Sequence, residues 1–277
     1  MWEGDARRLG TSEEDRIATA KKNIAAIAAS KLWVDAHAPK LFTELLSPEQ
    51  TNREVLHWLK AWDGIVFKRA PPKPYKKEYK KKDAGAFNTH VPLDEEGRPV
   101  HKILLLSGAP GVGKTTLAHV AAKHAGYRVV EINASDDRNA ETLKRRVTDA
   151  CQMRSVVGGG AGANKPNCVV IDEIDGALGG AEGKGAIHAL LQINADEDAR
   201  EEAGKRDKSS SGSGGSKKKK GPGPLNRPII AICNDLYAPA LRPLREIAKV
   251  FRVGAANKSA IASRLRRVCL EKGVRAD

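Results

Sequence analysis

The feature that most constrains this chain is the run Gly108-Ala-Pro-Gly-Val-Gly-Lys114-Thr115, set directly after the apolar stretch KILLL (102–106). Its spacing is G-x-x-x-x-G-K-[ST]. A strand delivers the chain to a tight turn there, and glycines let successive backbone N–H groups point inward around phosphate oxygens. The helix that follows offers its positive N-terminus to the same anion. Lys114 supplies a mobile cation for the β- and γ-phosphates, and the Thr115 hydroxyl suits a magnesium ion. From ordinary residue usage, the pattern arises by chance in roughly 1% of chains this long. The strand before it and the helix after it lower that figure further. The expected ligands are therefore ATP and Mg2+, with Gly108, Ala109, Pro110, Gly111, Val112, Gly113, Lys114, Thr115 and Thr116 as the cradle.

Such a loop needs a parallel sheet around it, and the chain beyond Val100 alternates between strand and helix patterns. Strands are expected at Lys102–Leu106, Tyr127–Ile132, Asn167–Ile171, Pro228–Cys233 and Val250–Val253. Helices are expected at Lys114–His124 (closed by Gly126), Glu141–Met153 and Gly185–Ile193. This order predicts an α/β P-loop fold, a five-stranded parallel sheet with right-handed crossovers and helices on both faces. Aromatic residues are only 4% of the chain. The core must then be Ala, Val, Ile and Leu, as suits a sheet covered on both sides.

The strand CVVIDEID (168–175) ends in Asp172 and Glu173 at the carboxyl edge of the sheet, where open α/β sheets bind ligands. Asp172 is expected to hold magnesium through its water shell, and Glu173 to polarise the attacking water. The fourth strand, IIAICND, ends in Asn234, whose amide can reach between water and γ-phosphate. Asn133 after the second strand reads either as a turn residue or as a partner that restrains Glu173. Asp175 has no role that the pattern defines.

The formal charge is +14. Lys68–Lys82 holds eight Lys or Arg against one Glu, and Lys205–Lys220 holds seven against one Asp. These two runs supply thirteen of the fourteen charges, so the basicity belongs to two segments rather than to the folded body. Such runs read first as solvated tethers, and nuclear import is a weaker alternative. On the helix after the second strand, Lys144, Arg145 and Arg146 form either a solvated face or a contact for a duplex phosphate backbone. Cys151, Cys168, Cys233 and Cys269 lack Cys-x-x-Cys spacing, and Cys168 and Cys233, beside β-branched apolar runs, read as small buried hydrophobes of a reducing compartment. Neither a secretory signal nor a membrane-spanning apolar run is present in the sequence.

The remaining organisation is a charged, Ala-rich leader (1–31) and an aromatic-rich segment (32–67). A Pro- and Lys-rich insertion (68–99) precedes the ATPase core (100–254), which contains a low-complexity loop (197–225). A last helix spans Asn257–Lys272 within the final segment (255–277). In segment 32–67, Ser47-Pro48-Glu49 signals a helix start, and Trp58 and Trp62 recur at helical spacing as core.

GAPGVGKTTLA, EINASDDR, VIDEID and IIAICND resemble the AAA+ ATPases of the replication factor C clamp-loader family. LWVDAHAPKLFTELL looks like that family's segment ahead of the phosphate loop, which implies adenine contacts from Val34 and Pro39. TNREVLHWLKAWDGIVF, the basic insertion, and RPIIAICNDLYAPALRPLR are similar to a large subunit that heads an alternative loader. The resemblance implies a heteropentamer with small clamp-loader subunits. That assembly uses ATP to open a sliding clamp and place it on primer–template DNA, in replication and sister-chromatid cohesion in the nucleus. An ATP-gated scaffold with little turnover, and the large subunit of the standard replicative loader, are the competing readings. The family's Asp-Lys-Tyr-x-Pro is here Asp35-Ala36-His37-Ala38-Pro39. The Ser-Arg-Cys that lends an arginine to a neighbour's ATP does not follow Asn234, although Arg242 and Arg245 lie nearby. The resemblance therefore implies a chain that receives an arginine, and one that stops at Asp277 inside the first helix of a truncated lid.

Overall fold

The computed structural model describes residues 32–69, 91–135, 140–152, 165–175, 185–210 and 225–274. The leader, most of the first basic run, the glycine-rich stretch after Gln152 and much of the second basic run lie outside those residues.

Five strands form one parallel sheet: β1 (Ile103–Ser107), β2 (Arg128–Asn133), β3 (Asn167–Asp172), β4 (Ile229–Cys233) and β5 (Lys249–Arg252), in the order β2-β3-β4-β1-β5. The register is unbroken, with Ile103 opposite Ile229, Leu104 opposite Lys249, and Ile132 opposite Ile171. This is the expected fold, and no strand boundary differs from the sequence reading by more than one residue.

Because side chains alternate across a strand, the central positions of β1, β3 and β4 must be apolar to be covered on both faces. One face presents Ile103, Leu105, Val169, Ile171, Ile229 and Ala231 to Leu143 and Val147 of α5 (Ala140–Gln152), Ala189 and Leu190 of α6 (Gly185–Ser210), and Leu244 of α7 (Arg242–Ile247). The other presents Leu104, Leu106, Cys168, Val170, Ile230 and Ile232 to Leu117, Ala118 and Ala121 of α4 (Lys114–His124). The same layer takes in Val55, Trp58, Leu59 and Trp62 from segment 49–62.

Upstream, α1 (Trp33–Ala36), α2 (Glu49–Lys60) and α3 (Asp63–Val66) lead to the sheet, and α8 (Lys258–Lys272) follows it. Trp58 and Trp62 are fully buried, as expected of core residues, and meet edge to face at 6.0 Å. The Trp58 indole N–H donates to the His101 carbonyl at 3.0 Å, which pins α2 to the approach to β1. The start of α2 differs from the serine-capped form. Pro48 occupies the cap position, and Ser47 instead exchanges hydrogen bonds with the Asn52 side chain. Proline lacks an N–H and pre-sets its φ, so it opens the helix without a side-chain cap.

Two regions are more ordered than their composition suggests. The end of the first insertion folds back through a Leu93–Pro99 bridge and buries Arg98 completely. Arg98 meets Asp94 at 3.0 Å and Glu197 of α6 at 2.7 Å, and it also pairs with Glu96 and Glu201. Helix α6 runs to Ser210, well beyond the end at Ile193 that the sequence pattern predicts. Residues 194–203 are rich in Ala and Glu, strong helix formers, and the Arg98 network gives that extra length something to hold.

Candidate nucleotide-binding site

β1 ends at Ser107, and the next residue explains why glycine is needed there. A Cβ on Gly108 would sit 2.5 Å from the Val253 carbonyl oxygen, so any side chain would push β5 away from the loop. Gly113 lies at φ 90, the left-handed region that L side chains avoid, and from it the chain turns into α4. The loop therefore delivers the amino end of an 11-residue helix to the carboxyl edge of the sheet.

Lys114 is buried, and its ammonium donates to the carbonyls of Gly108 (2.8 Å) and Ala109 (2.9 Å) and to Asn234 Oδ1 (2.7 Å). All three N–H groups of the cation thus have acceptors. Two of these belong to its own loop, and the third comes from the end of β4. The Thr115 hydroxyl donates to Asp172 Oδ2 at 2.6 Å. The other Asp172 oxygen accepts the Glu173 N–H at 2.8 Å. Glu173 is exposed and sits at φ 55, a strained conformation for a residue with a side chain, costing on the order of 1–3 kcal/mol. That turn falls just where β3 ends, at Asp172.

The structure thus brings together Lys114, Thr115, Asp172 and Asn234 from three elements. Strand order accounts for this, because β4 lies between β3 and β1. Asn133 pairs with Asp172 in the ladder, yet its side-chain oxygen accepts from the N–H and hydroxyl of Ser135, so of its two sequence readings it takes the turn role.

Asp175, to which the sequence pattern gives no role, accepts the N–H groups of Asn234 (2.6 Å) and Asp235 (2.9 Å) through Oδ2. The Cys233 thiol is pushed up to about 12, first by its burial and then by the Asp175 carboxylate beside it. The only signal in the sequence for Asp175 is a third acid after Asp172-Glu173. Its partners lie some sixty residues downstream, and nothing local reveals them.

Val34 is exposed and Pro39 half-buried on the segment that leads into the core. This segment meets α8 through His37. The Arg264 guanidinium donates to the His37 carbonyl at 3.2 Å, and the His37 ring lies 3.4 Å from the Glu271 carboxylate. On α5, Lys144 is paired with Asp196 of α6 at 2.7 Å, while Arg145 and Arg146 are exposed. Near β5, Arg245 and Arg252 both lie over the Tyr237 ring, and Arg242 is 3.9 Å from Glu246.

A glycine cradle closed against Val253, a cation at its base and a hydroxyl–carboxylate pair at its rim fit a triphosphate with a hard divalent ion. Residues 104–267 match the model of the family described as ATPase family associated with various cellular activities (AAA), and the chain belongs to that family. It is an ATP-binding and hydrolysing domain. Within that class it is closely similar to chromosome transmission fidelity protein 18. The identity is 43% to the Homo sapiens homolog over 89% of this chain, and 41% to the Xenopus laevis homolog over 90%. A replication factor C large subunit of Pyrobaculum arsenaticum is 29% identical over 88% of the chain and 46% of its own length. The chain spans 26% of the length of the human and Xenopus relatives.

Proposed function

We propose that this chain is the motor domain of a large subunit in a replication factor C-like clamp loader of the alternative type. In that role it couples ATP hydrolysis to the placing of a sliding clamp on primer–template DNA, within the nucleus, during replication and sister-chromatid cohesion. One observation carries the reading: a complete phosphate loop and acidic strand end lie within a chain that matches chromosome transmission fidelity protein 18 from vertebrates to yeasts at 36–43% identity. (The budding-yeast protein stands at 37%.)

In this reading the N–H groups from Gly108 to Thr116 wrap the phosphates, and Lys114 neutralises their charge. Thr115 and Asp172 hold Mg2+, which when bound polarises the terminal phosphoryl group. Glu173 accepts a proton from, and orients, the attacking water. Asn234, joined to Lys114, places its amide beside the reacting phosphate. Val34 and Pro39 line the adenine side. Small loader subunits complete the heteropentamer, and one of them lends an arginine to this site. The absence of a Ser-Arg-Cys after Asn234 supports a subunit that receives an arginine rather than donates one.

The test is ATP turnover by the full-length protein assembled with small loader subunits, with and without clamp and primed DNA. The proposal expects turnover to rise when both are present and to fall to background with Glu173→Gln. Turnover indifferent to clamp and DNA would overturn the loader reading. Turnover unaffected by Glu173→Gln would overturn the assignment of Glu173, and little turnover even with clamp and DNA present would favour an ATP-gated scaffold.

A further inference from the structure

We infer that Asp175 is a positioning residue for ATP hydrolysis, acting through Asn234. Strands β3 and β4 are in register from Val169 opposite Ile229 to Ile171 opposite Ala231, and a last backbone bond joins the Ile174 N–H to the Ile232 carbonyl at 3.2 Å. Beyond Cys233 the two chains no longer pair. There the Asp175 carboxylate takes the place of a ladder rung, accepting the N–H groups of two consecutive residues, Asn234 at 2.6 Å and Asp235 at 2.9 Å. These are charge-assisted bonds, shorter and stronger than neutral ones. Asn234 is exposed and sits where the strand gives way to a turn, so little else fixes its backbone. Its Oδ1 in turn accepts the Lys114 ammonium at 2.7 Å.

A continuous hydrogen-bonded path thus runs from the end of β3 through Asn234 to the lysine of the phosphate loop. The three acids of the run 172–175 divide the work. Asp172 holds Thr115, Glu173 turns outward, and Asp175 reaches sideways to lock the neighbouring strand end. An amide displaced by an ångström no longer meets a reacting phosphate in the right geometry, which affects the rate far more than ground-state binding. The inference rests on reading Asn234 as a contact to that phosphate.

Four variants of the full chain test it: Asp175→Ala, Asp175→Asn, Asn234→Ala and Asp175→Ala with Asn234→Ala. Single-turnover hydrolysis, affinity for a fluorescent ATP analogue, and thermal midpoint are measured on each. Asp175→Ala should slow hydrolysis about tenfold or more, because orientation is lost, while affinity stays within about twofold. Asp175→Asn keeps an acceptor oxygen in place and should recover part of that rate. On the Asn234→Ala background, Asp175→Ala should add nothing further, since its route is already removed. Losses that multiply in the double variant would show a general structural role and overturn the inference. So would a normal rate in Asp175→Ala beside a slow Asn234→Ala. A normal rate in Asn234→Ala would instead overturn the underlying reading of Asn234. If Asp175→Ala does not fold, a fifth variant, Asp175→Asn with Asn234→Ala, carries the test, and the smaller loss of Asp175→Asn must vanish in it.

Discussion

The Thr115 hydroxyl donates to the Asp172 carboxylate across 2.6 Å, tying the first turn of α4 to the end of β3. A hydroxyl and a carboxylate at that separation share one small volume at the sheet edge, the volume a hard cation with oxygen ligands would use. Removing the acid should therefore act through the metal. Asp172→Ala is expected to weaken ATP binding on the order of tenfold or more in magnesium, as for other groups that orient metal ligands. Binding in the presence of a chelator should be unchanged. Titration of a fluorescent nucleotide under both conditions checks this.

Lys114 and Glu173 should separate binding from chemistry. Lys114→Ala removes the one buried cation of the loop and leaves three acceptors, the carbonyls of Gly108 and Ala109 and the Asn234 amide, facing the phosphates. Nucleotide binding should fall below detection. Glu173→Gln keeps shape and hydrogen bonding but no longer accepts a proton. Affinity should stay within about twofold, and hydrolysis should drop by roughly 10²–10⁴. A quench-flow measurement beside an equilibrium titration distinguishes the two variants.

The Arg98 network makes a stability prediction far from the nucleotide. Arg98 and Glu197 are both fully buried and 2.7 Å apart. Burial pushes the Glu197 carboxyl up, but the Arg98 guanidinium and the Leu225 N–H outweigh it and hold the carboxyl below its ordinary value of 4.5. Stability from this carboxylate is therefore present above that value and lost as the pH falls through the lower folded-state value. Arg98→Met leaves Glu197 only Arg200, 2.7 Å away, and the Leu225 N–H as partners, and should cost at most about 3 kcal/mol in urea unfolding at neutral pH, the low end for breaking a buried pair. The loss should shrink in acid, where Glu197 becomes protonated.

At the other end of the pH scale the cysteines set a limit. Burial pushes the Cys151 thiol from 9.0 up to about 12, and Cys168 also upward. These groups stay protonated in the folded chain after they ionise in the unfolded one. Their contribution is complete below about pH 9 and declines as pH climbs from there toward about 12. The unfolding midpoint should accordingly fall between about pH 9 and about pH 11. At about pH 8, below the ordinary thiol value, an alkylating reagent should modify Cys269, the half-exposed one, well before the buried three.

On α5, Lys144 is held by Asp196, and Arg145 is exposed. Changing all three to Ala should weaken duplex binding and lower its salt slope by about one for each phosphate no longer neutralised. Lys144→Ala alone should do less than Arg145→Ala. Affinity measured across a salt series decides between this and a solvated face.

The phosphate loop and the Asp172–Glu173 strand end are legible in the sequence because each is a contiguous pattern whose physics is local. Gly108 and Gly113 announce a backbone that side chains could not follow, and the apolar runs 103–106 and 168–171 announce strands covered on both faces. The full length of α6 is not legible, for a related reason. Its second half is polar, and polarity reads as loop unless the partner that receives it, here buried Arg98 about a hundred residues upstream, is known.

What the chain determined by itself was the set of elements and the chemistry carried at their ends. Only the tertiary structure decided which ends meet. The order β2-β3-β4-β1-β5 places Asn234 against Lys114 and Asp175 against the turn after β4. Those contacts join residues 120 and 59 positions apart. A hydrogen bond depends on distance in space, and separation along a chain says nothing of that distance until the strands between have been laid side by side.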